Sequence, residues 1–110
     1  MKLLAVDTSC DESCAAIVDT TQNLLLADIV HSHTSVMQKW GGVVPELASR
    51  EHLKALPLVI QEACEAAKTR LEDIDWFTVS NRPGLIGALL VGVSYIKALS
   101  WALHKPFSVM

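Results

Sequence analysis

Seven consecutive residues, Asp7-Thr8-Ser9-Cys10-Asp11-Glu12-Ser13, hold three carboxylates and three hydroxyls. Groups of those types, so close together, can position Mg²⁺ or polarise a water beside a phosphate. The same residues also bend a chain cheaply, so an ordinary polar turn accounts for the composition as well. A second run is Gly41-Gly42-Val43-Val44-Pro45-Glu46-Leu47-Ala48-Ser49-Arg50-Glu51-His52. On a helix it brings Glu46, Ser49, Arg50 and His52 within reach of one polar network, or leaves Glu46–Arg50 as an i,i+4 pair on a solvated face. The third run, Asn81-Arg82-Pro83-Gly84-Leu85, links a predicted strand to a predicted helix, the place where α/β folds receive anions, which makes Asn81 and Gly84 candidate substrate contacts. It is neither a GxGxxG nor a GxxxxGK motif.

Other reactive side chains give weaker patterns. His31 and His33 flank Ser32, and such a pair holds a metal only when further ligands arrive from elsewhere; solvent-facing loop histidines are expected. Cys10, Cys14 and Cys64 are spaced by four and fifty residues, which fits neither a disulfide framework nor a CxxC knuckle. Cys14 and Cys64 are expected to face the core. The aromatics Trp40, Trp76, Phe77, Tyr95, Trp101 and Phe107 are spread along the chain without interleaved Lys or Arg, and form no base-stacking platform.

The elements that must hold these runs follow from periodicity. Residues 2–8 read as a strand, residues 8–13 as a turn, residues 14–18 and 24–30 as two further strands, and short polar links between them predict an antiparallel meander. Residues 31–42 read as a loop with its turn at Gly41-Gly42. From Val44 to Ala67 the apolar residues recur every three or four, an amphipathic helix entered through Pro45, with a kink or break expected near Ala55–Leu56 because of Pro57. Residues 74–80 make a fourth strand, Leu85 to Leu103 a second helix and residues 106–110 a fifth strand. The order β-β-β-α-β-α-β predicts an α/β domain with a mixed five-stranded sheet, its later strands parallel and helices covering its faces.

The chain has 110 residues, 51% hydrophobic and 19% charged, with mean hydropathy +0.34. That length suits one domain, and the apolar content excludes a disordered chain. A net charge of −3 supplies no basic field for a nucleic acid. The single N-terminal Lys and short apolar run are too short for a signal peptide, and unpaired cysteines fit a reducing compartment, so a cytoplasmic protein is expected. Leu85 to Leu103 has the length of a membrane span, but Ser94, Lys97, Ser100 and His104 draw a polar stripe along it, and a mostly buried soluble helix is the expectation. Gly84, Ala88 and Gly92, four residues apart, admit a close backbone neighbour, with packing onto the chain's own sheet the simpler account.

Together the three runs, with the third extended as Arg82-Pro83-Gly84-Leu85-Ile86-Gly87-Ala88-Leu89-Leu90-Val91-Gly92, resemble the TsaD family in order and spacing. The resemblance runs from end to end of the chain. It implies the first lobe, residues 1–110, of an actin-like ATPase fold built from two ribonuclease-H-like lobes. It also implies a transferase that moves the threonylcarbamoyl group from threonylcarbamoyl-adenylate, made with ATP, to N6 of the adenosine after the anticodon in tRNA. By position Ser9, Asp11 and Glu12 match family residues that face the site, Asp11 and Glu12 shaping the pocket and Ser9 giving a hydrogen bond. The family's metal, Fe²⁺ or Zn²⁺, is held by an H-x-x-x-H pair and a later Asp, expected beyond Met110, so no metal ligand is assigned here. TsaB-like and TsaE-like subunits are the implied partners, with tRNA bound through the full complex rather than this lobe. The lobe alone is expected to be inactive, to stay off membranes and to self-associate through its apolar side.

The sequence departs from the family at Arg82, where Gly is common, and at His33, Met37 and Trp40, where Gln, His and Tyr are common. These changes weaken any role carried over to the loop from His31 to Trp40. An alternative is a non-catalytic, partner-binding lobe like TsaB of the same pathway, although the Gly-Gly-Val-Val-Pro-Glu run favours the transferase. A sugar or acetate kinase of the same superfamily usually has a Gly-rich first phosphate loop, which residues 7–13 lack.

Overall fold

The computed structural model describes residues 1–110 in full. Strand β1 (Lys2–Asp7) pairs antiparallel with β2 (Glu12–Asp19), which pairs antiparallel with β3 (Leu24–Ser32). A short helix α1 (Thr34–Gln38) leads to the long α2 (Pro45–Ala66) and a single 3₁₀ turn, Leu71–Asp73. Then come β4 (Trp76–Val79), α3 (Ile86–Leu103) and β5 (Phe107–Val109). The five strands lie in the order β3-β2-β1-β4-β5, with β4 parallel to β1 and β5 parallel to β4. The meander and the mixed sheet match the sequence expectation, and so does the element order apart from the added α1 and the 3₁₀ turn.

Alternation along the strands places the core. Leu4, Val6, Ala15, Ile17, Phe77 and Val79 are buried and sit opposite one another in register, Leu4 facing both Ile17 and Phe77. Leu56, Val59, Ile60 and Ala63 of α2 and Ile96 of α3 close over them. Both crossovers, β3 to β4 and β4 to β5, step across the sheet in the same direction, and right-handed connections then put both helices on one face. The expectation of helices over both faces is corrected accordingly. On the reverse face Trp76 donates its ring N–H to Ser108 and Ser108 donates to Thr78, at 3.2 and 3.3 Å.

Four local expectations also change. The run 31–42 is not all loop, because β3 extends through Ser32 and α1 forms around the buried Met37. Helix α2 continues past Pro57 without a break: Pro57 and Leu53, whose carbonyl loses its i+4 donor, both lie on the exposed side, where water can take the vacant bond. Helix α3 is only 28% buried rather than mostly so, and Ile86, Leu90 and Trp101 are exposed. Its polar stripe is not uniformly wet either, since Ser100 is buried and donates to the Lys105 carbonyl.

Candidate functional site

The β1–β2 turn stands at the C-terminal end of β1, beside the loop that follows the parallel strand β4. Its shape begins locally, where the Asp7 carboxylate accepts the Ser9 N–H at 2.9 Å and forms an Asx turn. From there three successive carbonyls are each taken by a different element. The Ser9 carbonyl accepts the N–H of Leu85, which caps α3, at 2.9 Å. The Cys10 carbonyl accepts Nε2–H of His52, on α2, at 2.6 Å. The Asp11 carbonyl accepts the N–H of His33, which caps α1, at 2.7 Å. The turn is therefore clamped at Ser9, Cys10 and Asp11, and Glu12 opens β2 as an exposed residue opposite Ser32.

Small residues make the clamp possible. A Cβ on Gly84 would lie 2.5 Å from the Ser9 carbonyl oxygen, so only glycine lets the loop reach the turn. A Cβ on Gly92 would lie 2.6 Å from Oγ1 of Thr8, a fully buried residue that donates to the Ala88 carbonyl at 2.6 Å. Ala88 and Gly92 thus serve packing onto the chain's own sheet, and Gly84 serves packing onto its turn.

Under the turn lies a buried polar relay. Ser13 and His52 are fully buried and His33 is 6% exposed. Ser13 Oγ stands 2.6 Å from His52 Nδ1 and 2.9 Å from His33 Nε2, and the two rings meet edge to face with centroids 5.1 Å apart. Burial, and next the neighbouring His52, hold the His33 imidazole below its ordinary pKa. His33 is thus no solvent-facing loop residue, contrary to expectation; His31, half-exposed, keeps to the surface and contacts Glu62 at 3.3 Å. Of the two readings of the second run, the i,i+4 pair on a solvated face is the one that forms, and no Glu46–Ser49–Arg50–His52 network does. Glu46 and Arg50 pair at 2.8 Å on an exposed face, Ser49 bonds back to the Pro45 carbonyl, and His52 turns inward from the same helix.

Of the residues singled out in sequence, Ser9 and Gly84 touch, and Asp11 is fixed beside them, its carboxylate 3.5 Å from the Thr34 hydroxyl. Asn81 follows β4, gives its N–H to the Met110 carbonyl and borders an apolar cleft of ≈ 220 Å³ with Ile86, Leu89, Leu90 and Val93. No hydrogen bond joins Asn81 or Glu12 to the Ser9–Gly84 contact. Ser13 and the inward role of His52 escaped the sequence reading, although Ser13 closes the first run and His52 the second.

No three His, Cys, Asp or Glu side chains converge to hold a metal. The two histidines nearest the turn point nitrogens at Ser13 and at the Cys10 carbonyl, so this chain's own residues do not fit an iron or zinc site. Cys14 lies on the reverse face of the sheet rather than in the core, and burial, with Asp7 and Glu12 nearby, pushes its thiol up to about 11. Cys64 is half-buried against the core, and its thiol is raised by burial too, so neither is a ready nucleophile.

Solved structures share this architecture. A Pseudomonas aeruginosa protein described as uncharacterised, with similarity to the peptidase YeaZ, superposes with TM-score 0.75 at 20% identity, over 99% of this chain and 42% of that one. YeaZ from the same organism gives 0.71 at 18%, over 99% and 42%. At that identity the likeness shows the fold, an α/β lobe of the actin-like, ribonuclease-H-like kind. Sequence relatives are closer. Proteins named tRNA N6-adenosine threonylcarbamoyltransferase from Brachyspira hyodysenteriae, Clostridium kluyveri and Thermosipho melanesiensis are 49%, 46% and 48% identical over 96% of this chain. The chain spans only 31–32% of their length. The model of the TsaD family, tRNA N6-adenosine threonylcarbamoyltransferase, matches residues 24–110. With four-fifths of its residues inside that match, this chain belongs to the TsaD family.

Proposed function

We propose that residues 1–110 form the amino-terminal lobe of a tRNA N6-adenosine threonylcarbamoyltransferase and supply one wall of its acyl-donor pocket. The reading is carried by one observation: in a chain of this family, an acidic turn is locked at the C-terminal ends of parallel strands, with Asp11 held by its carbonyl and the exposed Glu12 just beyond the clamp. In the reaction the N6 amine of adenosine-37 attacks the carbonyl of threonylcarbamoyl-adenylate, a C–N bond forms, the C–O bond to phosphate breaks, and AMP leaves as the amine loses its proton. Asp11 and Glu12 orient the acyl donor, the Ser9 hydroxyl gives it a hydrogen bond, and Asn81 and Gly84 border its nucleotide. Fixing the donor and amine at bonding distance is where such a wall lowers the barrier.

The remaining parts of the reading belong to the whole enzyme. An Fe²⁺ or Zn²⁺ ion is held by residues other than these, and TsaB-like and TsaE-like subunits and tRNA engage the complete assembly in the cytoplasm. Alone, this lobe is inactive and carries too little positive charge to hold tRNA. The helix Ile86–Leu103 is long and apolar enough to cross a membrane, but its buried side packs on the sheet and α2, which supports a soluble lobe.

In the whole transferase carrying this lobe, Asp11→Ala or Glu12→Ala lowers acyl transfer by more than about tenfold, roughly 1.4 kcal/mol of barrier, with circular dichroism unchanged. Unaltered turnover in both variants removes the assignment. The likeness to YeaZ and the exposed apolar side of α3 favour a second reading, a TsaB-like lobe that only binds a partner. Wild-type partner binding combined with normal transfer in both variants selects it.

A further inference from the structure

The clamp on the acidic turn has one side-chain member. Leu85 and His33 hold the Ser9 and Asp11 carbonyls with backbone N–H groups, which no substitution removes short of proline, but the carbonyl between them is held by the His52 ring. A carbonyl only accepts, so Nε2 of His52 carries the hydrogen. In the neutral ring Nδ1 is then an acceptor, and the Ser13 hydroxyl donates to it. Ser13 in turn accepts from His33 Nε2–H. The hydrogen bonds run in one sense, from His33 through Ser13 and His52 to Cys10. They leave no buried side-chain polar atom unpartnered. With both rings charged, Ser13 would accept twice and its own buried hydrogen would have no partner.

We propose that His52 is a positioning residue for the acyl-donor wall: its Nε2–H tautomer, set by the Cys10 carbonyl and supported by Ser13 and His33, fixes where Asp11 and Glu12 stand. The proposal rests on the functional reading above for its consequence, but not for its geometry. His52 touches no substrate in it; it acts through the backbone of the turn. Ser13 ties the clamp to β2 directly, since it is the inward neighbour of Glu12. One ring therefore controls both ends of the Asp11–Glu12 pair.

The experiment is amide hydrogen exchange and ¹⁵N NMR of the 110-residue chain. In the wild type the His52 ring nitrogens report Nε2–H with Nδ1 bare; the opposite tautomer overturns the proposal without any variant. In His52→Ala the amides of Leu85 and His33, donors to the flanking carbonyls, exchange at least about tenfold faster, while that of Phe77 in the sheet holds its rate. His52→Gln, whose amide nitrogen reaches where Nε2 stood, restores most of the protection. His52→Asn, which reaches only the Nδ1 position, does not. Unchanged Leu85 and His33 rates, equal rescue by Asn and Gln, or uniform loosening that includes Phe77 each defeat it. Should His52→Ala fail to fold, Ser13→Ala takes its place: it removes the relay and leaves the Cys10 bond, and a mixed tautomer at His52 is expected. A retained pure Nε2–H state there would show that Ser13 and His33 contribute nothing. None of these readouts uses acyl transfer, so failure of the functional reading leaves them standing and is separately visible.

Discussion

At the scale of single residues, His33 is the group whose titration the fold feels. Burial lowers its pKa from 6.5 and the neighbouring His52 adds to this, while Glu51 and Asp11 pull the other way and His31 with the shift. Between the folded and unfolded pKa values the unfolded chain binds more protons, so stability rises with pH there and is lost as pH falls below about 6.5. Denaturant midpoints measured from pH 7.5 down to 5.5 should fall, and His33→Gln, neutral throughout, should flatten that limb relative to wild type. An equal slope in both chains would show that other groups carry it. His33 was hard to read from sequence because His-Ser-His in a polar run looks solvated. It is buried because β3 runs two residues further than its apolar pattern suggests and delivers it against α2. The Asp7–Ser13 turn was legible, since carboxylates and hydroxyls at a strand end declare themselves, but which of them face inward is decided by β2's pairing.

At the scale of elements, α3 and the loop leading into it fit against the acidic turn and α2 through gaps that small residues leave, and the gaps differ in what fills them. A methyl on Gly84 strikes the backbone of Ser9, in a conformation with φ +156° that favours glycine. A methyl on Gly87 meets the Ser49 hydroxyl at 2.6 Å, the end of a side chain that can rotate away. Gly84→Ala should therefore lower stability by about 1–3 kcal/mol and loosen the turn, whereas Gly87→Ala should come within about 0.5 kcal/mol of wild type, helped by alanine's helix propensity. Urea midpoints of the two variants test the contrast, and equal losses would refute the close approach at Ser9. The elements themselves were largely written in the periodicity: the meander, both long helices and the parallel β4 and β5 were all expected. The break that Pro57 could have made does not occur, because a helix tolerates proline where the orphaned Leu53 carbonyl is wet. The short α1 was missed because Thr34–Gln38 has no apolar period of its own, and only Met37 anchors it.

At the scale of the whole molecule, what stands out is how much apolar surface the two long helices leave uncovered. Leu53 and Leu58 on α2 are 64% and 53% exposed, and Ile86, Leu90 and Trp101 on α3 are 86%, 61% and 82% exposed. Leu53 and Leu90 line one cleft with Gly87, Val91, Ser94 and Tyr95, so the helix pair presents one shared apolar face. Contiguous apolar surface of this kind on a small chain marks an interface, and by itself it drives association. The same fact explains why sequence alone made α3 a buried helix: its composition is that of a core element, but only one side of it packs on the sheet and α2. The isolated chain should therefore scatter light as a dimer or larger species at micromolar concentration. Leu53→Glu combined with Leu90→Lys should return it to a monomer, because a charge of either sign on that face must be desolvated for it to close. Neither position is in the core, so near-ultraviolet dichroism from the buried Phe77 and the half-buried Trp76 should survive the double change. A wild-type chain that is monomeric across that range would mean the exposed face is too weak to pair with itself. The apolar surface would then have to be matched by a partner of different shape.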